Sequence, residues 1–282
     1  MPAGHLYVSD LDGTLVRSDT TLSPESRELL NRSIDEGALF TVASARSVHA
    51  MKPMLAGLRL RLPIIEFNGA FVTDFETGRH EIVHALDAGV AEAAYALFAR
   101  DAVPPLVSTY DGERDSVYHG ATHNDGIRSY LEGRDAAGDP RMRPVADPRR
   151  HLDEQVVCLT VIDRREALEA LLPAVRDQFA DRAQLTFFPD YFEPWWWLTL
   201  QAPGATKAQA IQRVLARCGL GAESLVVFGD QVNDISMFEI AGHAVAVENA
   251  IDAVKARAQE IIGSNESDSV AKFIARHWSA SS

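Results

Sequence analysis

The stretch Asp10-Leu11-Asp12-Gly13-Thr14-Leu15 directly follows a short apolar run, residues 6–8, which predicts a buried β-strand. Two carboxylates therefore come just after the carboxyl end of a strand, and in open α/β sheets ligands bind at that edge. Asp10 and Asp12 are two residues apart, a spacing that places both side chains on one face of a regular strand. The pair suggests one carboxylate as nucleophile or metal ligand and the other as general acid or base.

Two other interpretations of this stretch have to be weighed. An Asp-Gly turn with a solvated acidic residue explains the same letters without any chemistry, and short strings of this kind occur by chance. A calcium-binding EF-hand loop also opens with two aspartates, but it requires glycine at its sixth position and glutamate at its twelfth. Leu15 and Thr21 occupy those positions, so the EF-hand interpretation is disfavoured.

The segment after this stretch alternates between strands and helices. Ser23 and Pro24 have the pattern of a helix start, residues 38–43 predict a second buried strand, and residues 63–67 predict a third after another helix. This alternation is typical of a parallel sheet with helices on its faces. The polar residues that end the three strands, Asp10, Ser44 and Asn68, are then expected at one edge of that sheet.

The pattern changes after about residue 84 and returns after about residue 200. Strand-like pieces mixed with two helices fill the middle, and residues 133–150, rich in Gly, Pro, Asp and Arg, predict a loop. The apolar run of residues 225–228 then predicts a buried strand, which is followed by Gly229-Asp230-Gln231-Val232-Asn233-Asp234. We predict an α/β fold: a Rossmann-like parallel-sheet core from residues 1–84 and 201–282, with an inserted α+β cap domain over 85–200.

Composition narrows the range of partners. The chain has 282 residues, a formal net charge of -13 and a pI near 5.1, which argue against nucleic acid or an anionic membrane surface as partner. No apolar run approaches the roughly 20 residues that span a bilayer, and because the first strand is predicted within a few residues of Met1, no signal peptide is expected. Cys158 and Cys218 are far apart and are predicted to be reduced thiols, so a cytoplasmic location is expected.

Four separated motifs resemble those of one enzyme group. They are Asp10-Leu11-Asp12-Gly13-Thr14-Leu15, then Ala43-Ser44-Ala45-Arg46, then Lys207 in Pro203-Gly204-Ala205-Thr206-Lys207, and finally Gly229-Asp230-Gln231-Val232-Asn233-Asp234. In this order they resemble the haloacid dehalogenase superfamily of phosphohydrolases, and within it the Cof-type branch with a large α+β cap. Further similarities to that branch are Asn68-Gly69-Ala70, Glu248-Asn249-Ala250 and Asn265-Glu266-Ser267-Asp268-Ser269-Val270.

The resemblance implies a role for each acidic residue. Asp10 is expected to be the nucleophile that forms an aspartyl-phosphate, and Asp12 the group that protonates the leaving oxygen and later takes a proton from water. Mg²⁺ is the implied cofactor, held by the carboxylates of Asp10 and Asp230 and by the backbone carbonyl of Asp12. Asp234 is expected to support this site.

The remaining motif residues are expected to bind the substrate. Ser44 and Lys207 would hold the phosphoryl oxygens, the first through its hydroxyl and the second through its charge. Asn233 would contact the phosphoryl group or the substrate. Ala45 stands where relatives usually carry glycine, which leaves the roles of Ala45 and Arg46 less well defined.

The implied activity is that of an Mg²⁺-dependent phosphatase, a phosphoric monoester hydrolase. It is expected to act on small phosphorylated metabolites, with sugar phosphates as the favoured substrates. A phosphomutase would share the aspartyl-phosphate step, and a non-catalytic sensor of phosphorylated metabolites could keep the same metal site. A dehalogenase fits less well, because carbon–halogen cleavage has no leaving oxygen to protonate. Neither nucleic acid nor membrane is an expected partner.

The predicted insert contains aromatic and histidine residues that could either contact a substrate or have a purely structural role. Residues 195–197 are three consecutive tryptophans, which with Tyr191 and Phe192 could line a sugar-binding surface, although alternating core and surface positions on a strand explain them better. His119 and His123 could contact a substrate, but a lone histidine is more often a plain surface or core residue.

Overall fold

The computed structural model describes residues 4–100, 104–190 and 194–281, without the side chains of 280 and 281. The chain divides into two compact units: Met1–Ile82 together with Ala205–Ser282, called the core unit here, and Val83–Gly204, called the inserted unit. The sequence alone places these divisions after residues 84 and 200, close to the divisions after Ile82 and Gly204.

Strands and helices alternate along most of the described chain. The strands are β1 (Leu6–Ser9), β2 (Leu39–Val42), β3 (Ile64–Glu66), β4 (Phe71–Thr73), β5 (His80–Val83), β6 (Leu106–Tyr110), β7 (Asp115–His119), β8 (Met142–Pro144), β9 (Gln155–Arg164), β10 (Gln184–Pro189), β11 (Trp195–Gln201), β12 (Leu225–Gly229), β13 (His243–Val247) and β14 (Glu260–Ile262). The helices are α1 (Pro24–Asp35), α2 (Val48–Met54), α3 (Ala88–Arg100), α4 (Asp125–Ala136), α5 (Arg165–Phe179), α6 (Lys207–Cys218), α7 (Ile235–Ile240), α8 (Asp252–Lys255) and α9 (Ser269–Ser281).

The core unit is built on a parallel sheet of five strands in the order β14-β13-β12-β1-β2. Leu6 of β1 pairs with Leu225 of β12 on one side and with Leu39 of β2 on the other. All residues of β1 and β12 are buried, as expected for central parallel strands covered on both faces. The sheet therefore joins the two separate core segments of the chain through its middle strands.

Local sequence signals set the ends of the helices around this sheet. The Ser23 hydroxyl accepts the backbone N–H of Ser26 at the start of α1, and Gly219 ends α6 with a φ of 68°, a left-handed conformation that glycine adopts without strain. Helix α1 packs against α9, and α6 packs against α7. A small sheet, β3-β4-β5, adjoins β2 through a parallel bridge between Ala43 and Ile65.

The inserted unit is a six-stranded sheet in the order β10-β11-β9-β6-β7-β8, antiparallel except for the β7–β8 pair. Neighbouring residues of β6 point to opposite faces: Val107 packs with α3 and α5, whereas Leu106 packs with Ile127 of α4. The predicted fold class, a parallel-sheet core with an inserted α+β unit, is confirmed.

Helix α4 corrects the loop predicted over residues 133–150. The helix covers the first part of that range, and β8 and a short 3-10 helix, Pro148–His151, follow it. Gly126 and Gly133 reduce the helical signal of this segment. Packing explains the glycine at position 126, because a Cβ there would lie 2.5 Å from the Trp195 ring.

The three tryptophans alternate between the faces of the inserted sheet. Trp196 packs against Phe187 on the face of α3 and α5, whereas Trp195 and Trp197 join the cluster around α4. All three are half-buried, so the alternation is between two packed faces of the sheet rather than between core and surface. Tyr191 and Phe192 lie outside the described residues.

The histidines of the inserted unit make local contacts. The His119 ring lies 3.4 Å from the carbonyl of Gly120, and that of His123 lies 3.9 Å from the Asp163 carboxylate. Both cysteines are free thiols. Within the described parts of the chain, no helix has the length and apolar character needed to cross a membrane.

Candidate active site

The predicted site residues of the core unit meet at the carboxyl edge of its parallel sheet. Asp10 follows β1 and Asp230 follows β12, and because these strands are neighbours the backbone N–H of Asp10 donates to the carbonyl of Phe228 at 2.9 Å. Ser44 follows β2 on the other side of β1 and is 1% exposed. Asp10 and Ser44 therefore share one edge, as expected, whereas Asn68 follows β3 of the small adjoining sheet.

Lys207 lies between two of the carboxylates. Its Nζ donates to Oδ1 of Asp10 at 2.5 Å and to Oδ1 of Asp234 at 2.6 Å. A lysine at the first position of a helix is usually solvated, but Lys207 is only 1% exposed. Thr206 caps α6 by accepting the backbone N–H of Gln209. The ammonium group is thus fixed inside the acidic cluster.

Asp230 is held by the loop that follows Asp12. The Thr14 hydroxyl donates to Oδ1 of Asp230 at 2.8 Å. Gly13 has a φ of 74°, and a Cβ at that position would lie 2.5 Å from Oδ2 of Asp230. Glycine is required here both for the backbone conformation and for the close approach of the carboxylate.

Both carboxylate oxygens of Asp234 accept hydrogen bonds from the protein. Its Oδ1 accepts from Lys207, and its Oδ2 accepts the backbone N–H groups of Asp230 and Gln231 at 2.9 and 3.0 Å. These bonds fix the turn that carries Asp230 and the orientation of Lys207. The supporting role of Asp234 stays a prediction, and these contacts are the reason for it.

The cluster holds more negative than positive charge. Burial raises the pKa of Asp10 well above its ordinary value; Lys207 opposes this shift, and the charges of Asp234 and Asp230 add to it. Burial, and then the charge of Asp234, raises the pKa of Asp230 to about 6. Burial alone would lower the pKa of Lys207, but Asp10 and Asp234 outweigh it and raise that pKa. A cation would relieve the excess charge.

The residues fit a divalent cation. Oxygens of Asp10, Asp230 and Asp234 lie within 4.8 Å of one another. Both oxygens of Asp234 already accept hydrogen bonds from the protein. Asp10 and Asp230 supply the better ligands, because the bonds to Lys207 and Thr14 use only Oδ1 of each carboxylate. An all-oxygen carboxylate set suits a hard cation such as Mg²⁺.

Asp12 has a partner that the sequence left open. The Arg46 guanidinium binds it in a bidentate manner, with Nε to Oδ2 at 2.6 Å and Nη2 to Oδ1 at 2.8 Å. The Arg46 backbone N–H donates to the Ser44 hydroxyl oxygen at 3.1 Å, which leaves the Ser44 hydroxyl proton available to a ligand. The second motif therefore supplies both a hydroxyl donor and the ion-pair partner of Asp12.

Asn233 contacts the segment after β3. Its side-chain amide donates to Oδ1 of Asn68 at 3.2 Å, and the Asn68 backbone N–H donates to the carbonyl of Ser44 at 2.9 Å. Phe67 and Asn68 have φ values of 47° and 55°, and a Cβ on Gly69 would lie 2.3 Å from the carbonyl of Thr206. The segment 67–69 thus contacts the second, third and fourth motifs.

Two residues of the site were not predicted as such. The sequence motifs include Arg46 and Thr14 but do not define a role for either side chain. Their contacts join side chains that are 34 and 216 positions apart in sequence. Their positions inside matching motifs were the one signal available from the sequence.

We expect acid to weaken the stabilisation of this protein by Mg²⁺. The folded pKa values of Asp10 and Asp230 are raised, so the metal-free folded state keeps protons that the unfolded chain releases above about pH 4. Raising the pH through this window toward about 6 therefore lowers the free energy of unfolding without metal. Mg²⁺ competes with those protons, so the rise in melting temperature it causes should be several-fold larger at about pH 7.5 than at about pH 5.

Thermal unfolding with and without Mg²⁺ at the two pH values measures this effect. The Asp230→Asn variant is the matched control, since it should lose most of the metal effect at both pH values. An equal Mg²⁺ effect at both pH values in the unaltered chain would contradict the expectation.

Comparison with known proteins identifies the family to which this chain belongs. The model of the haloacid dehalogenase-like hydrolase family matches residues 7–274. The chain is 28% identical over 279 residues to 5-amino-6-(5-phospho-D-ribitylamino)uracil phosphatase YitU of Bacillus subtilis (strain 168), covering 98% of each chain. It is 29% identical over 280 residues to the pyridoxal phosphate phosphatase YbhA of Escherichia coli (strain K12), covering 95% of this chain and 96% of that protein.

A solved structure supports the fold. The crystal structure of a haloacid dehalogenase-like hydrolase from Bacteroides thetaiotaomicron matches with a TM-score of 0.80 at 24% identity, covering 97% of this chain and 99% of the other. The chain belongs to the haloacid dehalogenase-like hydrolase family, and the resemblance inferred from its motifs, including the Cof-type branch, is confirmed. It is a phosphatase of that family, that is, a phosphoric monoester hydrolase.

Proposed function

We propose that this protein is an Mg²⁺-dependent phosphatase that hydrolyses small phosphorylated metabolites, sugar phosphates first among them, through an aspartyl-phosphate on Asp10. One observation carries the proposal: a buried ammonium, Lys207, joins the carboxylate of Asp10 to that of Asp234 beside Asp230. A phosphate monoester repels an anionic nucleophile, and this cluster combines a nucleophile with the positive charge that offsets the repulsion.

In the first half of the reaction, an oxygen of Asp10 attacks phosphorus as the bond from phosphorus to the ester oxygen breaks. Lys207 and the Ser44 hydroxyl bind the non-bridging phosphoryl oxygens and hold the group in line. The leaving alkoxide takes a proton from Asp12. Both oxygens of Asp12 accept bonds from Arg46, so one of these bonds must open before that oxygen can carry a proton.

In the second half, a water attacks phosphorus, and Asp12 takes its proton. The bond from phosphorus to the Asp10 oxygen breaks, which releases inorganic phosphate and restores the carboxylate. Arg46 then re-forms its bidentate pair with Asp12, which keeps this side chain oriented between turnovers. Asn233, whose side-chain amide donates to Asn68, would contact the substrate.

Mg²⁺ would be held by Asp10, Asp230 and the backbone carbonyl of Asp12, and it would offset phosphoryl charge during the displacement. Asp234 keeps Lys207 and the Asp230 turn in position. The proposed cofactor suits the all-oxygen donor set.

The proposed substrate class draws on the relatives' activities. One relative is a phosphatase of a phosphorylated ribityl compound and another of pyridoxal phosphate, both small phosphate monoesters. A phosphorylated sugar or sugar alcohol is therefore our first choice. Neither nucleic acid nor membrane is a proposed partner, and a cytoplasmic location stays a prediction from sequence.

A panel of phosphate monoesters tests this proposal. We expect release of inorganic phosphate from sugar phosphates or related small esters with Mg²⁺ present, and a loss of at least about 100-fold when the metal is chelated. The panel should include phosphorylated sugars, sugar alcohols and pyridoxal phosphate, each assayed with Mg²⁺ and with EDTA.

The products separate the competing activities. Phosphate transferred to a second substrate hydroxyl rather than to water would indicate a phosphomutase. Tight ester binding without phosphate release would indicate a sensor. Turnover that is unchanged by chelation would contradict the metal-dependent mechanism.

A further inference from the structure

Two motifs of the chain have no place in the mechanism above. They are the segments around Asn249 and Asn265, which resemble the branch but were assigned no role from sequence. Asn249 follows β13 and is exposed, whereas Asn265 begins a short 3-10 helix before α9 and is 6% exposed. The core sheet thus brings both asparagines to the loop that follows Asp12.

Asn249 connects that loop to Asn265. Its side-chain amide donates to the carbonyl of Gly13 at 2.7 Å, and its Oδ1 accepts the backbone N–H of Asn265 at 3.0 Å. One side chain therefore satisfies a backbone acceptor in the first loop and a backbone donor near the end of the chain. This fixes the position of Gly13 relative to the segment before α9.

Asn265 holds the same loop at a second point. Its side-chain amide donates to the carbonyl of Val16 at 3.1 Å, in a bond that is buried. Residues beside it add contacts further along the loop: Glu266 accepts from the backbone and hydroxyl of Ser18 at 2.8 and 2.6 Å, and Asp268 pairs with Arg17 at 3.2 Å. The loop is held from Gly13 to Ser18.

The held loop carries groups used in the reaction. Asp12 and Val16 form a parallel β-bridge, so the Val16 end of the loop is linked to the backbone of Asp12. Gly13 lies against Oδ2 of Asp230, and Thr14 donates to Oδ1. A displacement at Gly13 or Val16 would therefore move both Asp12 and the carboxylate of Asp230.

We propose that Asn249 and Asn265 are positioning residues for the phosphatase reaction: they fix the loop from Gly13 to Val16 so that Asp12 and Asp230 keep their catalytic and metal-binding geometry. This inference rests on the proposed function. Each asparagine acts through the backbone of the loop.

The test compares kcat, KM and Mg²⁺ affinity in Asn265→Ala, Asn265→Asp and Asn249→Ala. We expect kcat to fall about 10-fold in both Asn265 variants, because small displacements of catalytic groups are costly, with a smaller change in KM. Mg²⁺ affinity, measured by thermal shift without substrate, should also fall about 10-fold, as is usual when a group supporting a metal ligand is lost. Asn265→Asp keeps the side-chain size but removes the donor to Val16, so it should be as impaired as alanine.

Asn31 provides a matched control. It is 7% exposed, donates to the carbonyl of Gly57 at 2.9 Å and accepts the backbone N–H of Arg59 at 2.8 Å. Asn31→Ala therefore removes the same kinds of bond from the core unit, but between α1 and a loop that carries no site residue. It should lower the melting temperature while kcat and Mg²⁺ affinity stay within about two-fold of the original values.

Equal changes in kcat and Mg²⁺ affinity in Asn265→Ala and Asn31→Ala would overturn the proposal, as would no change in either. If Asn265→Ala does not fold, Asn249→Ala at its exposed position carries the same comparison. Failure of the proposed function would look different: the unaltered chain would release no phosphate from any ester, while the Mg²⁺ affinities would still test the positioning role.

Discussion

Asp10→Asn is expected to reduce phosphate release by at least about 1,000-fold, because an amide oxygen is a poor nucleophile at phosphorus. The fold should survive. Asp10 is 5% exposed and shares one ammonium with another carboxylate, so removing its charge relieves repulsion in the metal-free protein. The melting temperature without metal should therefore be unchanged or higher, and its rise on addition of Mg²⁺ should be smaller.

Initial-rate assays of phosphate release and thermal unfolding measure the two effects. Asp35→Asn is a suitable control, since Asp35 forms a surface pair with Arg61 at 3.2 Å and should leave turnover unchanged. Substantial turnover by Asp10→Asn would refute the nucleophile assignment. A collapse of the fold would instead show that the carboxylate is needed for stability.

Lys207→Met should affect both activity and stability. The ammonium compensates Asp10 and Asp234, and its loss leaves two buried carboxylates facing one another. We expect the free energy of unfolding of the metal-free protein to fall by about 3–5 kcal/mol, the usual cost of breaking a buried pair. Loss of the charge that binds the phosphoryl group should reduce kcat/KM by at least about 100-fold.

Denaturant unfolding and steady-state kinetics test the two parts separately. The double variant Lys207→Met, Asp234→Asn removes one of the stranded charges and should regain part of the stability without regaining activity. If Lys207→Met kept near-normal kcat/KM, the phosphoryl-binding role would be wrong. If it kept full stability, the charge argument for the cluster would be wrong.

Local signals predicted the parts of the fold that local physics determines. A few adjacent residues encode each of three features that the structure contains. These are the apolar strand before Asp10, the helix cap at Ser23 and the end of α6 at Gly219. The meeting of Asp10 and Ser44 at one edge followed from parallel strand order. Resemblance to a family was needed to add Lys207, whose burial no local pattern indicates.

Contacts made by tertiary packing were not predictable in this way. The pairing of Arg46 with Asp12 depends on how two loops meet, and a charged pair of this kind leaves no periodic trace in the sequence. Helix α4 was missed because Gly126 weakens its signal, yet Gly126 is needed where the Trp195 ring packs. In both cases the reason for the residue lies in a neighbour that is distant along the chain.

The pairing of β1 with β12 has a consequence for how the protein is made. At roughly 5–20 residues per second, a ribosome needs about 10–45 s after Asp10 to reach Asp234. For most of that interval β1 can pair with β2 but not with β12, its other neighbour in the sheet. One edge of β1 therefore stays unpaired until β12 has been made, and the acidic cluster is complete only once Asp234 has been added.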